Sequence, residues 1–193
     1  MAAEDHEIVS IYGMSEAQID HLMTDARECV LNWDTHDHWP VGVMHAFVWA
    51  KGKVWLTFAA HRHRAAAIRR NPKVSIVVSG LAARSADCPK GTATMKGIAR
   101  FHEDRATKEW FYRALAKKGN PDDKAGEEAF YALLDSPLRV VLEIDPKKWI
   151  TFDSDKSARD RAGKLPESEK TPRASSDAIR MNMERKRRGL PPR

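Results

Sequence analysis

Four basic side chains in a row, His61, Arg62, His63 and Arg64, interrupt the stretch V-W-L-T-F-A-A-H-R-H-R-A-A-A-I-R-R-N-P (54–72). Thr57 places a hydroxyl shortly before them. Guanidinium, imidazole and hydroxyl groups gathered at one turn suit a phosphate, because charged donors make short, strong bonds to its oxygens. A helix beginning at the same turn would add free backbone N–H groups and the positive end of its dipole. The competing reading is a solvated basic turn with no ligand, which is how charge runs usually behave.

The neighbouring residues supply the elements that such a seat needs. Val54, Trp55, Leu56, Thr57 and Phe58 are β-branched, aromatic or large and apolar, which predicts a buried strand. Ala65 to Arg70 reads as a short helix, and Asn71-Pro72 stops it. The basic residues therefore sit where a strand ends and a helix starts.

Other candidate chemistry is weaker. The segment D-T-H-D-H-W-P (34–40) sets His36 and His38 beside Asp34 and Asp37. A His-x-His pair in a loop, without further spaced ligands, reads as a polar turn, and no metal is expected there. The better functional reading of this loop is contact with a small molecule. Cys29 and Cys88 match no metal or redox spacing, and Cys29 reads as a small core residue. There is no G-x-G-x-x-G and no P-loop, so a dinucleotide or nucleoside triphosphate site has no support.

A chain of 193 residues with 42% apolar residues and six Trp can bury one sizeable core. No apolar run approaches the roughly 20 residues needed to cross a bilayer. The opening M-A-A-E-D-H-E is acidic and lacks an apolar signal stretch, so the cytoplasm is the expected location. The net charge of +6 is uneven. Residues 154–193 hold 12 Lys/Arg and 6 Asp/Glu, leaving 21 of each sign in 1–153. The basic character thus belongs to the tail. Its R-K-R-R run (185–188) lacks interleaved aromatics, and nucleic acid is not an expected partner.

Two regions follow: a folded body over 1–153, and a polar, basic tail over 154–193. The tail is expected to be extended or disordered, with a short helix near 175–188. In the body, Ser15 and Gln18 fit a capping box, Met14 can staple against Ile19, and Ile19, Leu22, Met23 and Ala26 share a helix face. Strands are predicted over 28–33, 40–49, 54–58, 74–79, 92–101, 138–144 and 149–152. Lys51-Gly52-Lys53 is expected as a hairpin turn, Gly97 as a bulge and Asp145-Pro146 as a turn. Helices are predicted from Asp104 to about Lys118 and over 124–134. Strands outnumber helices and mostly precede them, which points to a closed antiparallel barrel of about six strands.

The pattern W-P-V-G-V-M-H-A-F-V-W, a Gly hairpin, the 54–72 stretch continuing into K-V-S-I-V-V, and then M-K-G-I-A-R-F-H-E-D before a helix resembles a known family. It is similar to the pyridoxamine 5′-phosphate oxidase-like, FMN-binding split barrels, over about 15–153. The resemblance implies a mainly β (α+β) fold: a six-stranded antiparallel split β-barrel with short flanking helices. It also implies an FMN-dependent oxidoreductase acting on a small molecule, as a homodimer with the flavin at the subunit interface. Carried over by position, Arg64 and His63 would hold the phosphate, with Thr57 at the strand end and Arg62 beside them. Met44, His45 and Ala46 would pass the flavin ring, and Lys96 would face the same region. Trp149 or Trp110 would cover the flavin of the partner subunit; both also fit an ordinary core. The C-terminal Arg-x-His motif of true pyridoxamine phosphate oxidases is absent, so vitamin B6 oxidation is not expected. Relatives that bind F420 or haem set the alternatives: an F420-dependent reductase, or a non-catalytic flavin or haem module with His61 or His45 as iron ligand.

Overall fold

The structure, a computed structural model, describes residues 8–192. Among these, seven strands form one curled antiparallel sheet: β1 (Glu28–Asp34), β2 (Pro40–Ala46), β3 (Val48–Ala50), β4 (Lys53–Ala59), β5 (Lys73–Ser79), β6 (Gly91–His102) and β7 (Arg139–Asp153). Their order across the sheet is β2-β1-β5-β6-β7-β4-β3. Six helices accompany it: α1 (Glu16–Asp25), α2 (His63–Arg70), α3 (Arg105–Gly119), α4 (Lys124–Leu134), α5 (Ser154–Arg161) and α6 (Ser175–Arg187).

The strand limits depart from the predicted ones in two places, and the two departures offset each other in the count. The segment 40–49 is not one strand: it breaks at Phe47, which is fully buried, so β2 and β3 lie on opposite edges of the sheet. Conversely, Asp145-Pro146 is not a turn. It lies inside the single long strand β7, where Gly97 pairs with Pro146 while Lys96 pairs with Lys148. Lys147 is the extra residue of that bulge, which gives the proline, with no N–H to donate, a place in the ladder. A Cβ on Gly97 would lie 2.5 Å from Ile144 Cγ2, so the glycine serves close strand approach there.

The hairpin turn reduces to Lys51-Gly52, with φ of 56° and 67°, and Lys53 begins β4. Positive φ at both central residues matches the twist of the flanking strands. The Ser15–Gln18 capping box is present in both directions.

Alternation along the strands divides the core in two. Leu31, Trp33, Val54, Leu56, Phe58, Ile76, Met95, Leu142 and Ile144 point to the concave side, where Leu22 and Met23 of α1 and Ala65 and Ile68 of α2 cover them. Trp55 and Val141 point the other way and pack on Phe111, Tyr112 and Leu115 of α3 and Leu134 of α4. On that second side buried Glu143 accepts from Lys53 Nζ at 2.5 Å and bonds to His102 Nε2 at 2.9 Å. Burial pushes its carboxyl upward, but these partners outweigh it and hold it below the usual range.

The segment from 154 differs from the extended tail that its composition suggests. Asp153 caps α5 through the N–H groups of Asp155 and Lys156. Tyr12 Oη donates to Asp160 at 2.7 Å, and Thr171 N–H donates to Ile11 O at 2.9 Å. These links tie a polar segment to the body without a large apolar face. α6 occupies the region where a helix was expected.

Candidate functional site

The strand β4 ends at Ala59, a turn closes with Arg62 N–H on Ala59 O, and α2 begins at His63 with Arg62 as its N-cap residue. No side chain caps this helix, so its first N–H groups remain open to an anion. Arg62 and His63 are exposed, whereas Arg64 folds back over the concave side of the sheet. Its Cζ lies 5.3 Å from the Phe58 ring centroid and 5.8 Å from that of Trp33. Arg64 Nε is buried without a hydrogen-bond partner. Burial, then the neighbouring Arg62 charge, lowers its pKa, the signature of a cation short of anionic company.

His45 reaches the same place from β2. Its ring stands 5.8 Å from Phe58, and Nε2 is buried with no partner. Burial, reinforced by the Arg64 charge, depresses its pKa to about 4, so the imidazole is neutral at neutral pH. Two orphaned nitrogens stand on one aromatic wall beside an uncapped helix N-terminus, an arrangement chemically suited to an anion. Native proteins rarely leave such groups unpaired.

The other sequence-derived candidates are distributed differently. Thr57 alternates with Phe58 and faces the α3 side; it is 8% exposed and donates Oγ1–H to Val140 O at 2.7 Å. The structure therefore does not bring its hydroxyl to Arg64. Met44 and Ala46 flank His45 on the opposite, outer face of the sheet and are exposed. Lys96 also lies on that outer face, in a groove of about 490 Å³ with Lys73, Ser75 and His38. Trp33 lines both this groove and the Arg64 seat, so the two adjoin at one residue. Trp149 packs on Trp49 at 6.0 Å within its own chain's core, and Trp110 packs on Trp55 at 4.8 Å. Both are half-buried. His38 pairs with Asp34 at 3.4 Å, and among the described residues no three His, Cys, Asp or Glu side chains converge as metal ligands.

Trp33 and Phe58, the aromatic walls of the seat, are absent from the sequence-based site. The signal for Phe58 was available: strict alternation places it, rather than Thr57, on the face that Leu56 does not share with Trp55.

The curled antiparallel half-barrel, with its strand-to-helix turn where β4 meets α2, defines a split-barrel protein. A sequence profile of pyridoxamine 5′-phosphate oxidase matches residues 32–153, and the chain belongs to that family. Solved structures share the fold. A conserved hypothetical protein, Rv2991, from Mycobacterium tuberculosis superposes with a TM-score of 0.65 at 19% identity, over 77% of this chain and 91% of that one. The haem storage protein HutZ from Vibrio cholerae gives 0.55 at 14% identity, over 72% and 97%. An F420 reductase gives 0.51 at 18% identity, over 68% and 94%. No curated protein matches by sequence.

Proposed function

We propose that this chain binds FMN through Arg64 and works as a flavin-dependent oxidoreductase on a small molecule. The observation that carries the reading is the pair of buried, unpartnered nitrogens, Arg64 Nε and His45 Nε2, beside the open N-terminus of α2. Arg64, with Arg62 and His63 at the rim, holds the phosphate through charge-assisted bonds. Backbone N–H groups at the start of α2 add donors. His45 and Phe58 form the dry side of the pocket. FMN bound there supplies hydride or electron transfer, and the protein supplies position and electrostatics. The groove holding Lys96, Lys73 and His38, which adjoins the seat at Trp33, is the place for substrate.

The working unit in this reading is a homodimer. Met44, Val30, Val77, Thr94 and Ile150 stand as successive cross-strand neighbours over β2, β1, β5, β6 and β7. Met44 and Ile150 are each 52% exposed. A largely apolar row, broken only by Thr94, across the outside of a sheet supports burial against a second copy.

The test is an FMN titration followed by flavin fluorescence, with Arg64→Ala beside the wild type. Loss of affinity in the variant supports the seat; equal affinity overturns it. A second reading rests on His45: a neutral histidine with a free Nε2 has the protonation state of an iron ligand. Haem and F420 belong in the same titration, read by their own absorption bands. Steady-state reduction by NAD(P)H separates an enzyme from a carrier.

A further inference from the structure

A second pair of cations, Lys118 and Arg84, lies where α3 ends. The Lys118 ammonium is buried without a hydrogen-bond partner and rests 4.3 Å from the Phe47 ring centroid. It is not needed to terminate the helix. Ala116 O accepts from Asn120 N–H at 3.1 Å and from Asn120 Nδ2–H at 2.9 Å, and Lys118 O accepts from the Arg84 guanidinium. Lys118 and Arg84 together form the wall between two hollows of about 700 and 440 Å³. Val48 and Trp49 line the larger hollow, Phe47 and Phe130 the smaller.

The nearby carboxylates are either committed or peripheral. Glu127 pairs with Lys124 at 3.1 Å, and Asp123 caps α4 by accepting from Gly126 N–H. Asp122 and Glu28 are exposed at the rims. Burial, and then the Arg84 charge, pull the Lys118 ammonium down to about 8, so it retains most of its proton at neutral pH; the Asp25 carboxylate opposes this shift but is already taken up by the N–H groups of Arg84 and Ser85, at 2.8 and 2.9 Å.

We propose that these two hollows form a binding site for a small amphipathic anion, an aromatic or aliphatic body carrying one carboxylate or sulfonate, with Lys118 and Arg84 as its charge partners. The apolar walls accept the body. The ammonium, on four rotatable bonds, turns from the Phe47 ring to meet the anion, and the exposed Arg84 closes from outside. This site shares no residue with the Arg64 seat and does not depend on flavin binding.

The probes are 8-anilinonaphthalene-1-sulfonate and its uncharged analogue N-phenyl-1-naphthylamine, read by fluorescence on the full chain. The wild type is expected to prefer the sulfonate by about tenfold, a typical yield for one charge-assisted contact. Lys118→Met should erase that preference, Arg84→Met should reduce it, and Lys118→Arg should keep it. Arg64→Ala should leave it intact, which separates this site from the flavin seat. Equal binding of the two probes by the wild type overturns the proposal. So does an unchanged preference in Arg84→Met, a surface change that keeps the test alive if Lys118→Met fails to fold.

Discussion

The Arg64 guanidinium and the His45 imidazole lean on one ring. Arg64 Cζ is 5.3 Å from the Phe58 centroid, and the His45 ring centroid is 5.8 Å from it. Burial penalises the imidazolium and the Arg64 cation adds to that, so His45 stays neutral while Arg64 carries the only charge of the pair. The seat is thus built around a single buried cation with an apolar backing, which suits a phosphate arriving from the α2 side.

Removing that cation should cost phosphate affinity. Arg64→Ala is expected to weaken FMN binding by about 1.5–3 kcal/mol, the usual worth of a hydrogen bond to a charged group. Arg64→Lys should recover only part, since a lysine lacks the planar fork. Isothermal titration of the three proteins measures this.

Thr57 offers a contrast. Its hydroxyl already serves Val140 O on the far side of the sheet. Thr57→Val should lower stability by about 1 kcal/mol through the lost bond. Its flavin affinity should match the wild type. Urea midpoints and the same titration give both numbers, and a weakened flavin complex would return Thr57 to the seat.

The His45 shift has a pH consequence. Its folded pKa of about 4 lies below the ordinary 6.5, so the unfolded chain takes up a proton that the native one refuses. Above pH 6.5 the residue contributes no pH dependence; from 6.5 down to about 4 it makes stability fall. His45→Gln should shrink that fall. Urea midpoints at pH 7 and pH 4.5 decide, and an equal fall in the variant refutes the assignment.

The apolar row on the outer sheet face predicts assembly. Ile150 stands at its β7 end, opposite Thr94 and 52% exposed. Ile150→Asp should convert a dimer to monomer at micromolar concentration, as read by light scattering after gel filtration. A wild-type chain that is monomeric under the same conditions removes this face as the interface.

Local patterns made much of this molecule legible. The capping box at Ser15–Gln18, the Lys51-Gly52 turn and the helices after Asp104 and Asp123 all rest on contacts within a few residues, and composition declares such contacts directly. The basic turn at 61–64, set between strand and helix, was equally visible. Strand limits were less so. The split at Phe47 and the merger through Asp145-Pro146 depend on which strands lie alongside, and a linear reading has no access to neighbours in the sheet.

By its sequence alone, then, this protein determined an antiparallel barrel-type sheet, every helix but α5, and a basic turn between a strand and a helix. Tertiary structure decided which side chains share that turn. Strand alternation sent Thr57 and Lys96 to other faces, curling of the sheet brought His45 and Trp33 to Arg64, and the end of α3 enclosed Lys118 against Phe47. The reason is geometric: a residue's type is written locally, but its partners are chosen by the register and curvature of strands distant in the chain.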